Sequence, residues 1–268
     1  MTTEPITEAA VAAYTPAVRE KLLEFVLQLA DTSLVLGHRL SEWCGHGPVL
    51  EQDLAMANIA LDLLGETRSL YQYAAALEGR GRTEDDLAYL RSATEYRNPL
   101  LVEQPNGDFA HTVVRQFLFD NFHYHLLLAL QTGPDTHLAA IAEKAVKEAA
   151  YHLKWSSEWV IRLGDGTAES RQRLDRAIAT LWRYAAELTT PTPTETALQD
   201  MGLLPDYESF IPAMHAHEVQ VLAEATVPAP TVAPFRGAGG KLGRHSEHLG
   251  YLLAELQYMQ RAYPGLQW

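Results

Sequence analysis

From Pro16 to about Cys44 the apolar residues Leu23, Leu27, Ala30 and Leu34 recur at steps of three and four, the period of an α-helix, and the run Cys44 to Pro48 stops it. A second stripe, Ala55, Ile59, Leu63, Leu70, Tyr73 and Leu77, predicts a long helix over about 51–77. Residues 83–109 carry one short helical stretch near 86–92 and then Pro, Asn and Gly turn signals, so they read as a crossover. Two more long helices follow, at about 109–131 and 135–163. In the fourth, Leu138, Ala142, Ala145, Ala149, His152, Ser156, Trp159 and Leu163 alternate steps of four and three, the spacing of a bundle seam. Shorter helices fit 168–188, 195–202, 207–226 and 246–263, and the Pro- and Gly-rich run 227–243 reads as an extended surface segment. Nothing in the pattern predicts a strand or an internal repeat. The reading is all-α: a ferritin-like four-helix bundle with a crossover between its second and third helices and additional C-terminal helices. Residues 1–15 read as an N-terminal extension and 16–268 as one domain.

Composition narrows the function classes. Lys and Arg number 21 against 34 Asp and Glu, a formal charge of −13, which repels nucleic acid and anionic membranes. The single cysteine, Cys44, forms no internal disulfide and is too little for a zinc or iron–sulfur cage, which favours the cytoplasm. The amino terminus has no apolar leader-like core and no run reaches the length of a membrane span. A hydrophobic content of 47% is ample for a large core.

Polar residues interrupt the inward stripes of every long helix: Asp31, His38 and Glu42 on the first, Asp62 and Glu66 on the second, Asp120 and His123 on the third, Glu148 and His152 on the fourth. Ferritin-like bundles place a carboxylate on each of two helices and Glu-x-x-His on each of the other two to hold a pair of irons. Here the expected Glu positions are Leu63 and Ala149, and Glu66 stands where a histidine belongs. Losing two carboxylates removes the charge that would retain two metal ions. Asp62 with Glu66, or Glu148 with His152, at i and i+4, leaves a grip on one divalent ion open. Carboxylates without metal are expected to pair with nearby bases, for which Arg39, Arg68, Arg115 and Lys147 are the candidates.

Residues 41–65, 100–110, 147–155 and 245–268 are similar to the C subunits of bacterial phenylacetyl-CoA epoxidase, also called ring 1,2-phenylacetyl-CoA oxygenase, and the likeness covers nearly the whole chain. The resemblance implies a noncatalytic subunit of ferritin-like fold that has lost its metal site. It implies pairing with the di-iron catalytic partner, the A component, together with a further B component and a transient reductase, the E component, fed by NADPH. It also implies that Ser41-Glu42, Asp62 followed by Leu63 and Glu66, and Glu148 followed by Ala149 and His152 are the remnants of the catalytic relative's ligand motifs, with Asp120 a further survivor. No catalytic, cofactor or metal residue is expected in this chain. The degenerate pocket comprises Glu42, Asp62, Leu63, Glu66, Asp120, Glu148, Ala149 and His152.

Two other readings stay open on the residues alone: a self-sufficient di-iron oxidase or iron-binding protein using the surviving acids and His152, and a generic helical binding module. The segment 236–244, RGAGGKLGR, fails the Walker pattern because Phe235 and Leu242 occupy the first glycine and hydroxyl positions, and it reads as a mobile surface connection. Cys44 beside His46 lacks the geometry of a nucleophile and base. Trp43, Trp155, Trp159 and Trp182 are expected to pack the core or a subunit face, and His245, Glu247 and His248 to serve capping or interface roles rather than hold a metal. Whether the chain in isolation forms a homodimer, through a face meant for a different polypeptide, is left open by the sequence.

Overall fold

The computed structural model describes residues 11, 13–231, 233–236 and 239–266. Most of the expected N-terminal extension therefore lies outside the described residues. Among the described residues four long helices, α1 (Pro16–Ser41), α2 (Leu50–Glu78), α5 (Phe109–Leu130) and α6 (Thr136–Gly164), form the bundle. Their starts are set chemically. The Thr15 hydroxyl accepts from the Val18 amide with Pro16 in the first turn of α1, Asp108 accepts from the His111 amide before α5, and Asp135 accepts from the His137 and Leu138 amides before α6. Gly79, at φ 67°, ends α2 in the left-handed conformation that glycine adopts without cost. The crossover holds α3 (Glu84–Tyr89) and α4 (Leu100–Glu103). After the bundle come α7 (Ala168–Leu181), α8 (Ala185–Thr189), α9 (Pro193–Asp200), α10 (Ile211–Glu224) and α11 (Glu247–Ala262). No strand occurs among the described residues.

The short loop 42–49 makes α1 and α2 antiparallel, so Ala30, Ser33 and Gly37 of α1 face Thr67, Glu66 and Leu63 of α2 in reversed order. Gly37 permits this approach: a Cβ there would meet the Ala60 carbonyl at 3.3 Å and Leu63 Cβ at 3.4 Å. The second pair, α5 and α6, is joined by residues 131–135, and α6 packs on α2 to close the bundle. The C-terminal helices wrap it, with α9 and α4 on α1, α7 on α5, α10 on α6 and α11 on α3. Helix α1 is consequently enclosed on all sides: every residue from 28 to 37 is buried. One continuous apolar cluster runs from Val11 to Leu253.

Buried polar groups fasten the wrapping elements to the bundle. Asp31 of α1 accepts from Tyr71 at 2.6 Å and from the Arg97 amide at 2.8 Å, and it pairs with Arg91 of the crossover, whose Nη1 lies at 3.1 Å. Glu195 of α9 accepts from Gln28 of α1 at 2.9 Å and from Tyr207 at 2.6 Å, and meets Lys241 Nζ at 2.8 Å. Glu187 accepts from the Leu100 amide at 2.8 Å and the Gly239 amide at 3.0 Å. The glycine-rich segment is thus no mobile connection where it is described: Gly240 and Lys241 are buried, and a Cβ on Gly240 would lie 2.4 Å from the Asn98 carbonyl. Gly237 and Ala238 lie outside the described residues.

Candidate functional site

Polar side chains from all four long helices meet at one level of the bundle. Glu66 of α2 accepts from Ser33 of α1 at 3.2 Å, and its other oxygen lies 2.9 Å from His123 Nε2 of α5. One turn earlier on α5, Asp120 accepts from Gln116 Nε2 at 2.6 Å and from Ser156 of α6 at 2.8 Å. One turn earlier on α6, His152 Nε2 lies 3.0 Å from Asp62 of α2. Ser33, Glu66, Asp120, His123, His152 and Ser156 are buried, and Asp62 is half-exposed. Leu63 and Ala149, at 1% and 2% exposure, fill the same layer with apolar atoms.

The electrostatics follow from this burial. Desolvation raises the Asp120 carboxyl to about 6, against the opposing charge of His152, the hydrogen bonds from Ser156 and Gln116, and the charge of His123. Burial alone would lower His123, but the charge and hydrogen bond of Glu66, with the charge of Asp120, outweigh it and leave the imidazole raised. Glu148 is raised by partial burial and then by the charge of Asp62. It sits on the rim of the layer, in a cleft of about 100 Å³ lined also by Asp62, Glu66, Lys144 and Ile141.

Several sequence expectations change place. Glu42 does not join the layer: it caps the C-terminus of α1, held by Arg39 at 2.8 Å and Asn106 at 2.8 Å. The α1 residue level with Glu66 is Ser33, and nine residues of helix displace Glu42 by about 13 Å along the axis. The basic partners expected for the other acids are elsewhere too. Arg68 pairs with Glu84, and Arg115 donates to the Gln104 carbonyl and Asn106, while Lys147 is exposed. Histidine, glutamine and serine satisfy the inner acids instead. Ser33, Gln116 and Ser156 carry no charge that would mark them in the sequence as members of the layer, although Ser156 lies on the seam of α6.

Of the other candidates, Trp43, Trp155 and Trp159 surround Phe109 at centroid distances of 6.2, 6.3 and 5.0 Å, and Gln52 of α2 accepts from both Trp155 and Trp159. They lock one end of the bundle. His245 bridges Glu103 and the Tyr96 carbonyl, each at 3.0 Å, and Ser246 caps α11. Cys44 is exposed, with the His46 imidazole turned to its carbonyl.

A di-iron centre fits this layer poorly on the donors themselves. Glu66 and Asp62 each spend an oxygen on a histidine, Asp120 on a glutamine and a serine, and the two bridging positions are methyl-bearing. Among the described residues no three His, Cys, Asp or Glu side chains are grouped as ligands of one ion.

A four-helix bundle with a crossover between its halves and a polar layer at its heart defines an all-α protein of ferritin-like architecture. The chain belongs to the phenylacetic acid catabolic protein family, whose model matches residues 3–268. It is 48% identical, over 248 residues covering 92% of this chain and 99% of the relative, to the C subunit of 1,2-phenylacetyl-CoA epoxidase from Escherichia coli (strain K12). No helix among the described residues is long and apolar enough to cross a membrane.

Proposed function

We propose that this chain is the noncatalytic C subunit of a cytoplasmic, multicomponent phenylacetyl-CoA epoxidase acting in aerobic phenylacetate breakdown. It supports the di-iron A component, alongside the B component and an NADPH-fed reductase, the E component, and carries no cofactor of its own. The near-complete coverage of the relative supports the assignment to that assembly. The observation that carries the noncatalytic role is the pairing of Glu66 with His123 and of Asp62 with His152, set among Leu63 and Ala149. Side chains that in a metal bundle point their lone pairs at iron here hold one another, so the layer fixes helix register rather than activating oxygen.

Co-expression with the catalytic subunit, followed by sizing and iron analysis of each component, tests this reading. The expected result is a complex whose iron resides in the catalytic subunit, with traces in this chain and turnover only from the assembly. About two irons per copy of this chain, with reduction-dependent oxygen uptake by the chain alone, would overturn it in favour of a self-sufficient di-iron oxidase.

A further inference from the structure

Helix α2 carries a second apolar stripe that the bundle covers only at its end, where Leu64 packs against the core. Leu50, Leu54, Ala57, Leu61 and Leu64 follow steps of four, three, four and three, the spacing with which one helix seats its side chains between those of another. The inner stripe of the same helix, including Met56, Ile59 and Leu63, is buried in the core. On the outer one Leu50, Leu54 and Leu61 are 71%, 55% and 65% exposed, and Ala57 and Leu64 are half-buried. Isolated exposed leucines are ordinary on a protein surface. An aligned set spanning fifteen residues, with a rise of about 21 Å along the helix, is the footprint of a missing neighbour.

Charge selects the kind of neighbour. Between Leu50 and Thr67 the helix holds Glu51, Asp53, Asp62 and Glu66 and no Lys or Arg. Glu66 is buried and paired, and Glu51, Asp53 and Asp62 border the stripe, Asp53 also accepting from the Gly47 amide and Asp62 facing His152. Beyond Asp62, Glu148 of α6 adds another acid across the small cleft, with Lys144 the base that lines it. Association of two copies through this face would bring two acidic borders together on chains of net charge −13. A helix with apolar knobs and flanking Lys or Arg meets both features at once.

We propose that the outer stripe of α2 is the docking surface for an α-helix of a different polypeptide, one whose apolar seam is bordered by basic side chains. Resting on the reading given under Proposed function, that polypeptide is the catalytic subunit. The contact is coiled-coil-like, with the leucines supplying affinity and the acidic border supplying register and exclusion of a second copy.

The full-length chain, co-expressed with the catalytic subunit, provides the test. L54E combined with L61E is expected to weaken pairing at least about tenfold, with an unchanged melting temperature because both side chains already face solvent. E51K is expected to weaken it less, and added salt to weaken wild-type pairing but to have less effect on E51K. Y251E, at a 71% exposed position on α11, serves as the control and is expected to pair normally. If wild type pairs and L54E/L61E pairs equally well, the docking surface is wrong while the subunit reading stands. If wild type fails to pair at all, the subunit reading falls and takes this inference with it. A homodimer of wild type that L54E/L61E dissolves would assign the stripe to a second copy and overturn the proposal.

Discussion

Glu66 and Asp120 differ in what their removal does. Replacing Glu66 by Ala strands the buried His123 imidazole, so the melting temperature should fall by the equivalent of about 2–4 kcal/mol, while the assembled enzyme retains turnover. Lost turnover at unchanged stability would contradict the structural role. Asp120 behaves oppositely because its folded value, about 6, lies above the ordinary 3.8. The folded state holds that proton more tightly, so Asp120 costs no stability below about pH 4, and the cost grows as pH rises towards 6, to about 3 kcal/mol. His123 is also raised, from 6.5, so its contribution is complete below 6.5 and is lost as pH climbs through the folded value. Both signs make stability decline with rising pH. D120N keeps an acceptor for Gln116 and offers a donor to the Ser156 hydroxyl. Its thermal midpoint should exceed wild type near pH 7.5 and be flatter between about pH 4 and 6. A calorimetric series across that range decides it.

At the scale of elements, the four long helices and the crossover are legible in the sequence because apolar periodicity and cap chemistry act locally. The starts expected near residues 16, 51, 109 and 135 fall within a residue or two of the helices in the structure. The inward acids of α2, α5 and α6 are legible for the same reason, since Asp62, Glu66, Asp120 and His152 interrupt a clean stripe. Which α1 residue stands level with them is not. Helical spacing leaves axial register free, and it is settled by the Gly37 contact with α2 and the loop 42–49, so spacing offers Asp31, His38 and Glu42, the resemblance selects Glu42, and the structure puts Ser33 there. The partners of buried charges are equally hidden, because Arg91 reaches Asp31 across 60 residues and Lys241 reaches Glu195 from a segment that looks like linker. These clasps give two further predictions. R91M leaves Asp31 buried without its cation and should destabilise by about 3–5 kcal/mol in denaturant titration. K241M, which releases the glycine-rich segment from Glu195, should expose residues near 236–244 to limited proteolysis at protease levels that leave wild type intact.

On the scale of the whole molecule, the function proposed above has the bundle keep the architecture of a metal-binding fold while exchanging ligand chemistry for packing. Reversing that exchange at two positions is a stringent check. Leu63→Glu with Ala149→Glu places two carboxylates among buried apolar atoms, at 1% and 2% exposure in the parent, and should destabilise the chain by several kcal/mol. Added ferrous iron is expected to restore little of that loss, because Glu66 and Asp62 remain bonded to His123 Nε2 and His152 Nε2; restoration of the parent melting temperature by iron would mean that the scaffold still holds a competent site.

The enclosure of α1 has a consequence for how the molecule opens. Its amides between Gln28 and Gly37 lie beneath α2, α4 and α9 at once, so no peripheral unfolding event uncovers them. In deuterium exchange this stretch should be the last to label, at the rate of complete denaturation, while the amides of α11 label through local fraying. The bundle's first helix is then the keystone that dissolves only with everything else.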